Sequence, residues 1–365
     1  MTDLPIQQPL PREYLQLDAQ ELGDRITAAR KRLGDELVVL GHHYQRDEVI
    51  RHADFRGDSL KLARLASQRG QARYIVFCGV HFMAESADIL SQPHQQVILP
   101  NLTAGCSMAD MADIYQVEEC WEQLAAVTSR RILPVTYINS AASLKAFVGR
   151  NRGAVCTSSN ARPVLEWALS QGDKVLFFPD QHLGRNTALG MGHTLDEMLL
   201  WDPEEPFGGH TAQAIEAAQF LLWKGHCSVH ARFTVDQIAQ AREQFPGIRV
   251  IVHPECSMEV VQAADDSGST ERIIQQVTRS EPGSKWAIGT EINLVSRLAH
   301  EQPGKTIFCL DPIVCPCSTM YRIHPAYLLW VLDNLLEGRV VNHIQVPGEV
   351  ASWAKRALDR MLEIC

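Results

Sequence analysis

The sequence predicts an α/β fold whose parallel sheets are covered by helices on both faces. Three observations carry that expectation. Short continuous runs of Val, Ile, Leu and Phe recur along the chain, helix-like stretches separate them, and nearly every run stops in a cluster of polar or small residues. Strands buried on both faces need unbroken apolar runs, and parallel neighbours need a long crossover, usually a helix, between them.

Residues 14–33 read as a helix, acidic first and basic later, with Asp18 as its cap. Strand candidates follow: ELVVLGHHY from Glu36, RYIVFCGVHF from Arg73, QVILPN from Gln96, ILPVTYIN from Ile132 and AVCTSSN from Ala154. KVLFFPD from Lys174, IRVIVHPE from Ile248, KWAIGTE from Lys285 and TIFCLDP from Thr306 complete the series. Helices are expected at SLKLARLASQRG from Ser59 and RPVLEWALSQG from Arg162. Three successive blocks look alike in layout, which suggests an internal triplication. With an N-terminal helical arm at 1–35 they give expected domains at 36–120, 121–206 and 207–365, the last with C-terminal helices. The segment WDPEEPFGGH reads as a linker because of its Pro and Gly residues.

The 365 residues suffice for two or three domains at roughly 150 residues each. With 45% apolar and 21% charged residues, the composition excludes disorder, collagen and coiled coil. A net charge of −9 gives no general attraction to a phosphate backbone, so nucleic acid is not an expected partner. No apolar run reaches the ~18 residues of a membrane span; the longest, AYLLWVLDNLL from Ala326, contains Asp333. The N-terminal stretch MTDLPIQQPLPREY does not read as a signal peptide, so a cytoplasmic location is expected, with the ten cysteines reduced.

In open α/β sheets, ligands bind beyond the carboxyl ends of strands, often at helix N-termini. Here those positions hold His42, His43 and Tyr44; His81 and Glu85; Tyr137, Asn139 and Ser140; Thr157, Ser158, Ser159 and Asn160; Asp180 and His182; His253 and Glu255; Ser269 and Thr270; and Thr290 and Glu291. Taken singly, each cluster is better explained by caps and turns; together they are not, because the fold gathers strand ends on one side of each sheet. Gly57-Asp58-Ser59, Thr157 to Asn160 and Gly268-Ser269-Thr270 each precede a helix and would suit a carboxylate or phosphate. None matches a dinucleotide fingerprint or a P-loop. His253 and Glu255, two residues apart at a strand end, could share acid–base work.

No CxxC pair occurs. Cys106, in the first block, and Cys227 and Cys317, in the third, are each followed by a small polar residue, with a Gly just before the first two, and could together hold an iron–sulfur cluster with one iron lacking a protein ligand. Cys78, Cys120, Cys156, Cys256, Cys309 and Cys365 read as buried structural thiols.

The motifs LGHHYQ, GDSLKLA, NLTAGCSMADM, VTYINS, CTSSNA, FFPDQHLG, WKGHCSVH, VHPECS and GST together resemble the quinolinate synthase family, the A proteins of bacterial NAD biosynthesis, from about Leu37 to Met361. The resemblance implies three similar αβα domains with parallel sheets in pseudo-threefold arrangement, the active site lying at their junction. It implies condensation of iminoaspartate with dihydroxyacetone phosphate to quinolinate, with release of phosphate and two waters. The implied cofactor is a [4Fe-4S] cluster on Cys106, Cys227 and Cys317, acting as a Lewis acid. Cys317 is preferred to Cys315 because Met320 follows it by three, as in the family pattern. The resemblance also assigns His42, Tyr44, Ser59, Tyr137, Asn139, Ser158, His253, Glu255, Ser269 and Thr270 to the site, with Thr157 and Ser159 as alternatives to Ser158. Tyr44 with His42, and Glu255 with His253, are the expected acid–base pairs. Functional coupling to an L-aspartate oxidase is a further implication. The stretch from Trp201 to Cys227 is longer than in compact members and reads as an added lid or surface loop.

Overall fold

A computed structural model describes residues 6–68, 71–313 and 316–364. Its strands are β1 (Leu37–His42), β2 (Phe55–Gly57), β3 (Tyr74–Cys78), β4 (Gln96–Ile98), β5 (Ile132–Tyr137), β6 (Ala154–Cys156) and β7 (Lys174–Phe178). They continue with β8 (Met198–Trp201), β9 (Phe220–Trp223), β10 (Arg249–Val252), β11 (Asp266–Ser267), β12 (Lys285–Gly289), β13 (Thr306–Cys309) and β14 (His343–Ile344). The fold is α/β, as expected. Its three sheets have the strand orders β14-β4-β3-β1-β2, β6-β5-β7-β9-β8 and β11-β10-β12-β13. Every pairing is parallel except that of β14 with β4.

The described residues pack into two compact units. One lies within Met1–Cys106, Ile292–Leu294 and Cys315–Val346, the other within Ser107–Glu291, Val295–Val314 and Pro347–Cys365. The first unit holds the first sheet and the second unit the other two.

In the first unit, β1 and β3 are buried at every residue, as a strand covered on both faces must be. Asp18 caps the helix Ala19–Leu33 by accepting from Glu21 N–H, and the Glu21 side chain returns the bond. That helix buries Leu22, Ile26 and Ala29 and packs on the helix Pro325–Leu336. The latter is the apolar run noted around Asp333. Its carboxylate is met by Arg25 at 2.7 Å and by the Tyr14 hydroxyl at 3.1 Å, which lets an acidic residue sit on an otherwise buried helix. Among the described residues, no helix is long and apolar enough to cross a membrane.

In the second unit, β7 and β9 are buried throughout. The third sheet builds a core of Val250, Val252, Ala287 and Leu310 against Ile238, Ala241 and Val260. Each of these Val, Leu and Ile side chains contributes about 1.5–3 kcal/mol by leaving water. The helix Gly348–Ile364 returns to pack on the helix Ala142–Arg150. The approach is so close that a Cβ on Gly149 would lie 2.0 Å from the Trp353 carbonyl oxygen, so glycine is required there.

The stretch 201–227, read as an added lid or surface loop, is in part a core strand. Phe220–Trp223 is fully buried β9, paired on both sides by β7 and β8. WDPEEPFGGH therefore joins neighbouring strands of one sheet.

Candidate active site

Parallel β5, β6, β7, β9, β10, β11 and β12 of the second unit all end next to polar residues, and four of these ends supply one buried network. Tyr137, the last residue of β5, donates its hydroxyl to Glu255 Oε1 at 2.6 Å. The other carboxylate oxygen of Glu255 lies 2.7 Å from His230 Nδ1. His230 Nε2 meets Thr290 Oγ1 at 3.1 Å. The result is a Tyr–Glu–His–Thr relay with His230 and Glu255 only 1% and 3% exposed. His253 stacks on His230, with ring centroids 4.4 Å apart and planes at 16°.

The tautomer of His253 follows from the backbone. Its Nδ1 accepts the Glu255 N–H at 3.3 Å, so in the neutral ring the hydrogen is on Nε2. Nε2 lies 3.3 Å from Ser158 Oγ, which therefore accepts and keeps its own O–H to donate. Burial is the main cause that holds His253 down to about 3, against the opposing pull of Glu255. Burial would push the Glu255 carboxyl up, but the electrostatic pull of the neighbouring His230 imidazole and the hydrogen bonds from His230 and Tyr137 outweigh it and hold the group below the ordinary carboxylate value. Asp180 is the converse: burial, then the negative charge of Glu255, push its carboxyl well up. Asp180 Oδ1 caps the helix Gln181–Gly190 through Leu183 N–H at 2.6 Å.

Cys227 follows β9. Gly225 lets the chain come close to the end of β7, where a Cβ would lie 2.2 Å from the Pro179 carbonyl oxygen. Cys227 Sγ, a His230 ring nitrogen and a Glu255 oxygen all lie within 4.8 Å of one another, a group that can hold a metal ion.

The three expected anion-binding helix starts differ. At the first, Asp58 itself accepts the Lys61 N–H at 2.9 Å, so a carboxylate of the chain already takes that donor. At the second, Asn160 Oδ1 accepts from Thr157 N–H and Thr157 Oγ1 at 2.6 and 3.0 Å, which ties the turn that carries Ser158. At the third, Ser269 Oγ accepts from Arg272 N–H at 3.4 Å, with Thr270 buried behind it. Ser158 and Ser269 line one cavity of about 610 Å³, together with Arg162, Asn186 and Arg272. Asn139 Oδ1 is buried without a hydrogen-bond partner, an acceptor suited to a ligand donor.

The first unit holds His42, Tyr44, Ser59, Cys106 and Cys317. His42 Nδ1 accepts the Tyr44 N–H at 3.2 Å, and the two rings meet edge to face at 4.8 Å. Long polar side chains staple three loops together. Asn101 donates to the Arg322 carbonyl at 3.0 Å, while Arg322 donates to the Thr103 carbonyl at 2.7 Å. Arg46 donates to the Tyr321 carbonyl at 2.7 Å and lies 3.4 Å over the Tyr321 ring. The segments carrying Tyr44, Cys106 and Cys317 are thus fixed to one another. Cys315 and Cys365 lie outside the described residues.

The cysteines divide by burial. Cys78, Cys120, Cys156 and Cys256 are buried, and burial pushes the Cys78 thiol up to about 12. Cys309 is half-buried, but its thiol donates to the Thr290 carbonyl and is pushed up to about 11, chiefly by burial. Cys106, Cys227 and Cys317 are half-buried on loops, and none is in a disulfide. Soft, loop-borne thiols of this kind are the donor set an iron–sulfur cluster needs, so the residues present fit that group.

The family model described as "Quinolinate synthetase A protein" matches residues 24–363. A quinolinate synthase of Corynebacterium glutamicum is 60% identical over 361 residues, 99% of this chain and 92% of that protein. Those of Acidobacterium capsulatum and Geobacillus kaustophilus are 58% and 54% identical, covering 96% and 97% of this chain and 95% and 96% of their own length. The chain belongs to the quinolinate synthase family. It is an enzyme of that family, and its expected resemblance stands.

Of the residues the quinolinate synthase resemblance assigned, the second unit brings Tyr137, Glu255, His253 and Ser158 into direct contact. Ser269 joins Ser158 only as a cavity wall. Within the first unit His42 and Tyr44 are in contact with each other. The pairing of Glu255 with His253 through their side chains is loose, 3.8 Å, because His230 takes the carboxylate instead. His230 was not singled out from the sequence. It lies in a one-turn 3-10 segment, His230–Arg232, whose only signal is the Cys227-x-x-His230 spacing.

Proposed function

We propose that this enzyme condenses iminoaspartate with dihydroxyacetone phosphate to give quinolinate, inorganic phosphate and two waters. Family membership supports the overall reaction. The observation that carries the chemistry is the buried Tyr137–Glu255–His230–Thr290 relay, because both dehydrations and the imine condensation need protons moved at a fixed place. Glu255 is the acid–base group. Tyr137 and His230 hold its two oxygens and pass the proton on, and the neutral Nε2–H of His253 orients Ser158.

Ser158, Ser269, Thr270 and Ser59 are assigned to the two carboxylates and the phosphate, which they would hold by charge-assisted hydrogen bonds. Asn139 is assigned to the substrate nitrogen or a hydroxyl through its unpartnered Oδ1. Tyr44, oriented through its backbone by His42, is the second proton carrier. Cys106, Cys227 and Cys317 would hold a [4Fe-4S] cluster, which when bound supplies Lewis acidity from an iron without a protein ligand. The unstable imine makes functional coupling to an aspartate-oxidising enzyme part of this reading. The cytoplasm is the proposed compartment.

The test is an anaerobic assay of quinolinate formation from the two substrates, with iron and sulfide counted on the same sample. About four irons per chain are expected. Cys227→Ala should lose cluster absorbance and activity together. Full turnover by cluster-free protein would refute the cluster's role, and absence of quinolinate from the cluster-loaded wild-type enzyme would refute the reaction.

A further inference from the structure

Glu255 is gripped at its carboxylate by Tyr137 and His230, but something must also fix the turn that presents it. The turn's N–H groups are already taken: His253 N–H goes to the Gly289 carbonyl at the end of β12 at 3.0 Å, Glu255 N–H to His253 Nδ1 and Cys256 N–H to the His253 carbonyl at 3.0 Å. The carbonyls of Pro254 and Cys256, immediately before and after Glu255, accept from a single atom. Asn186 Nδ2 donates to both, each at 2.9 Å. Asn186 sits on the helix Gln181–Gly190, which Asp180 caps at the end of β7. The clamp therefore runs from the second sheet to the turn after β10 in the third.

We propose that Asn186 is a positioning residue for the reaction: it holds the carbonyls on both sides of Glu255 and so sets where the carboxylate stands against His230 and Tyr137. This rests on Glu255 being the acid–base group. A primary amide is the one side chain of this length that offers two hydrogens from one nitrogen. An aspartate has the same outline and offers none at neutral pH. Its carboxylate would face two carbonyl oxygens, so the turn would be pushed away as well as released. A displacement of about 1 Å at a reacting group can cost ~10²-fold in rate.

The experiment compares Asn186→Asp and the milder Asn186→Ser, which keeps one donor, with the wild-type holoenzyme. For Asn186→Asp the expected result is a kcat lower by about 10- to 100-fold with KM for both substrates within about twofold. Asn186→Ser should fall between the two. Amide hydrogen exchange should speed up at residues 255–257 while β10 stays as protected as before, a readout independent of turnover. A wild-type kcat in Asn186→Asp, or unchanged exchange at 255–257, overturns the proposal. A loss that appears only as a raised KM overturns it too. If the wild-type enzyme makes no quinolinate, the functional reading fails, and the exchange measurement still decides whether the clamp holds the turn.

Discussion

The corner from β1 to β2 and the corner from β10 to β11 are built with the same bonds. Val39 N–H donates to Asp54 Oδ2 at 2.7 Å, and Val250 N–H donates to Asp265 Oδ2 at 2.7 Å, each pair 15 residues apart. Asp54 N–H returns to the Val39 carbonyl at 2.8 Å, and Asp265 N–H to the Val250 carbonyl at 3.0 Å. Each aspartate is also paired with an arginine from the helix that precedes the first strand, Arg30 in one case and Arg242 in the other. His42 ends β1 and His253 directly follows β10, and the Nδ1 of each accepts the N–H two residues on. What differs is the residue giving that N–H: a half-buried phenol at Tyr44, a buried carboxylate at Glu255. One backbone device has been used twice, and two different ionisable side chains, a phenol and a carboxylate with ordinary pKa values near 10 and 4, have been mounted on it. Position, not chemistry, is what the repeat preserves.

The sharpest way to break this comparison is to neutralise each carrier. Glu255→Gln should lower kcat by about 10³-fold, since it removes the buried charge at the centre of the relay. Tyr44→Phe should cost less, about 10-fold, because its backbone contact to His42 survives. The reverse order in steady-state kinetics would place the main acid–base group in the first unit. Next come the shared supports. Asp54→Ala and Asp265→Ala each strand a strand N–H and should each destabilise by about 1–3 kcal/mol in denaturant unfolding. A large inequality would show that the two corners are alike in geometry and not in energetics.

The smallest effect is on acid stability. Burial holds His52 down to about 4 and His253 down to about 3. Both groups bind a proton more readily in the unfolded chain, whose histidines titrate near 6.5. The stability tied to them is complete above that value and is lost as pH falls through the folded values. His52→Gln should flatten the decline in melting temperature between about pH 6.5 and 4, and an unchanged slope would remove His52 from the account.

Much of the fold was legible in the sequence. The nine apolar runs are β1, β3, β4, β5, β6, β7, β10, β12 and β13. The strands that escaped are short or disguised. β2, β8, β11 and β14 have two to four residues each, too few to show a period. β9 lies within the stretch read as a lid or surface loop, in AIEAAQFLLWKG, where neither Gly nor Pro marks where the helix ends at Ala217 and the strand begins at Phe220. Within the site, Glu255 and Tyr137 were readable from their place at strand ends. Their contact was not, since 118 residues separate them. His230 and Asn186 act through partners supplied by other strand ends, so no local pattern gives them away.

The position of β14 sets a constraint on biosynthesis. The ribosome finishes β1 to β4 early, yet the bare side of β4 waits for residues 343–344, which emerge only after the other two sheets have been made. The surface of helix Ala142–Arg150 waits longer still, for residues 348–364. A nascent chain therefore carries an open strand edge through most of its translation, the feature that invites pairing with other chains. Slow elongation, or removal of residues 343–364, should harm this protein more than its compact sheets alone would suggest.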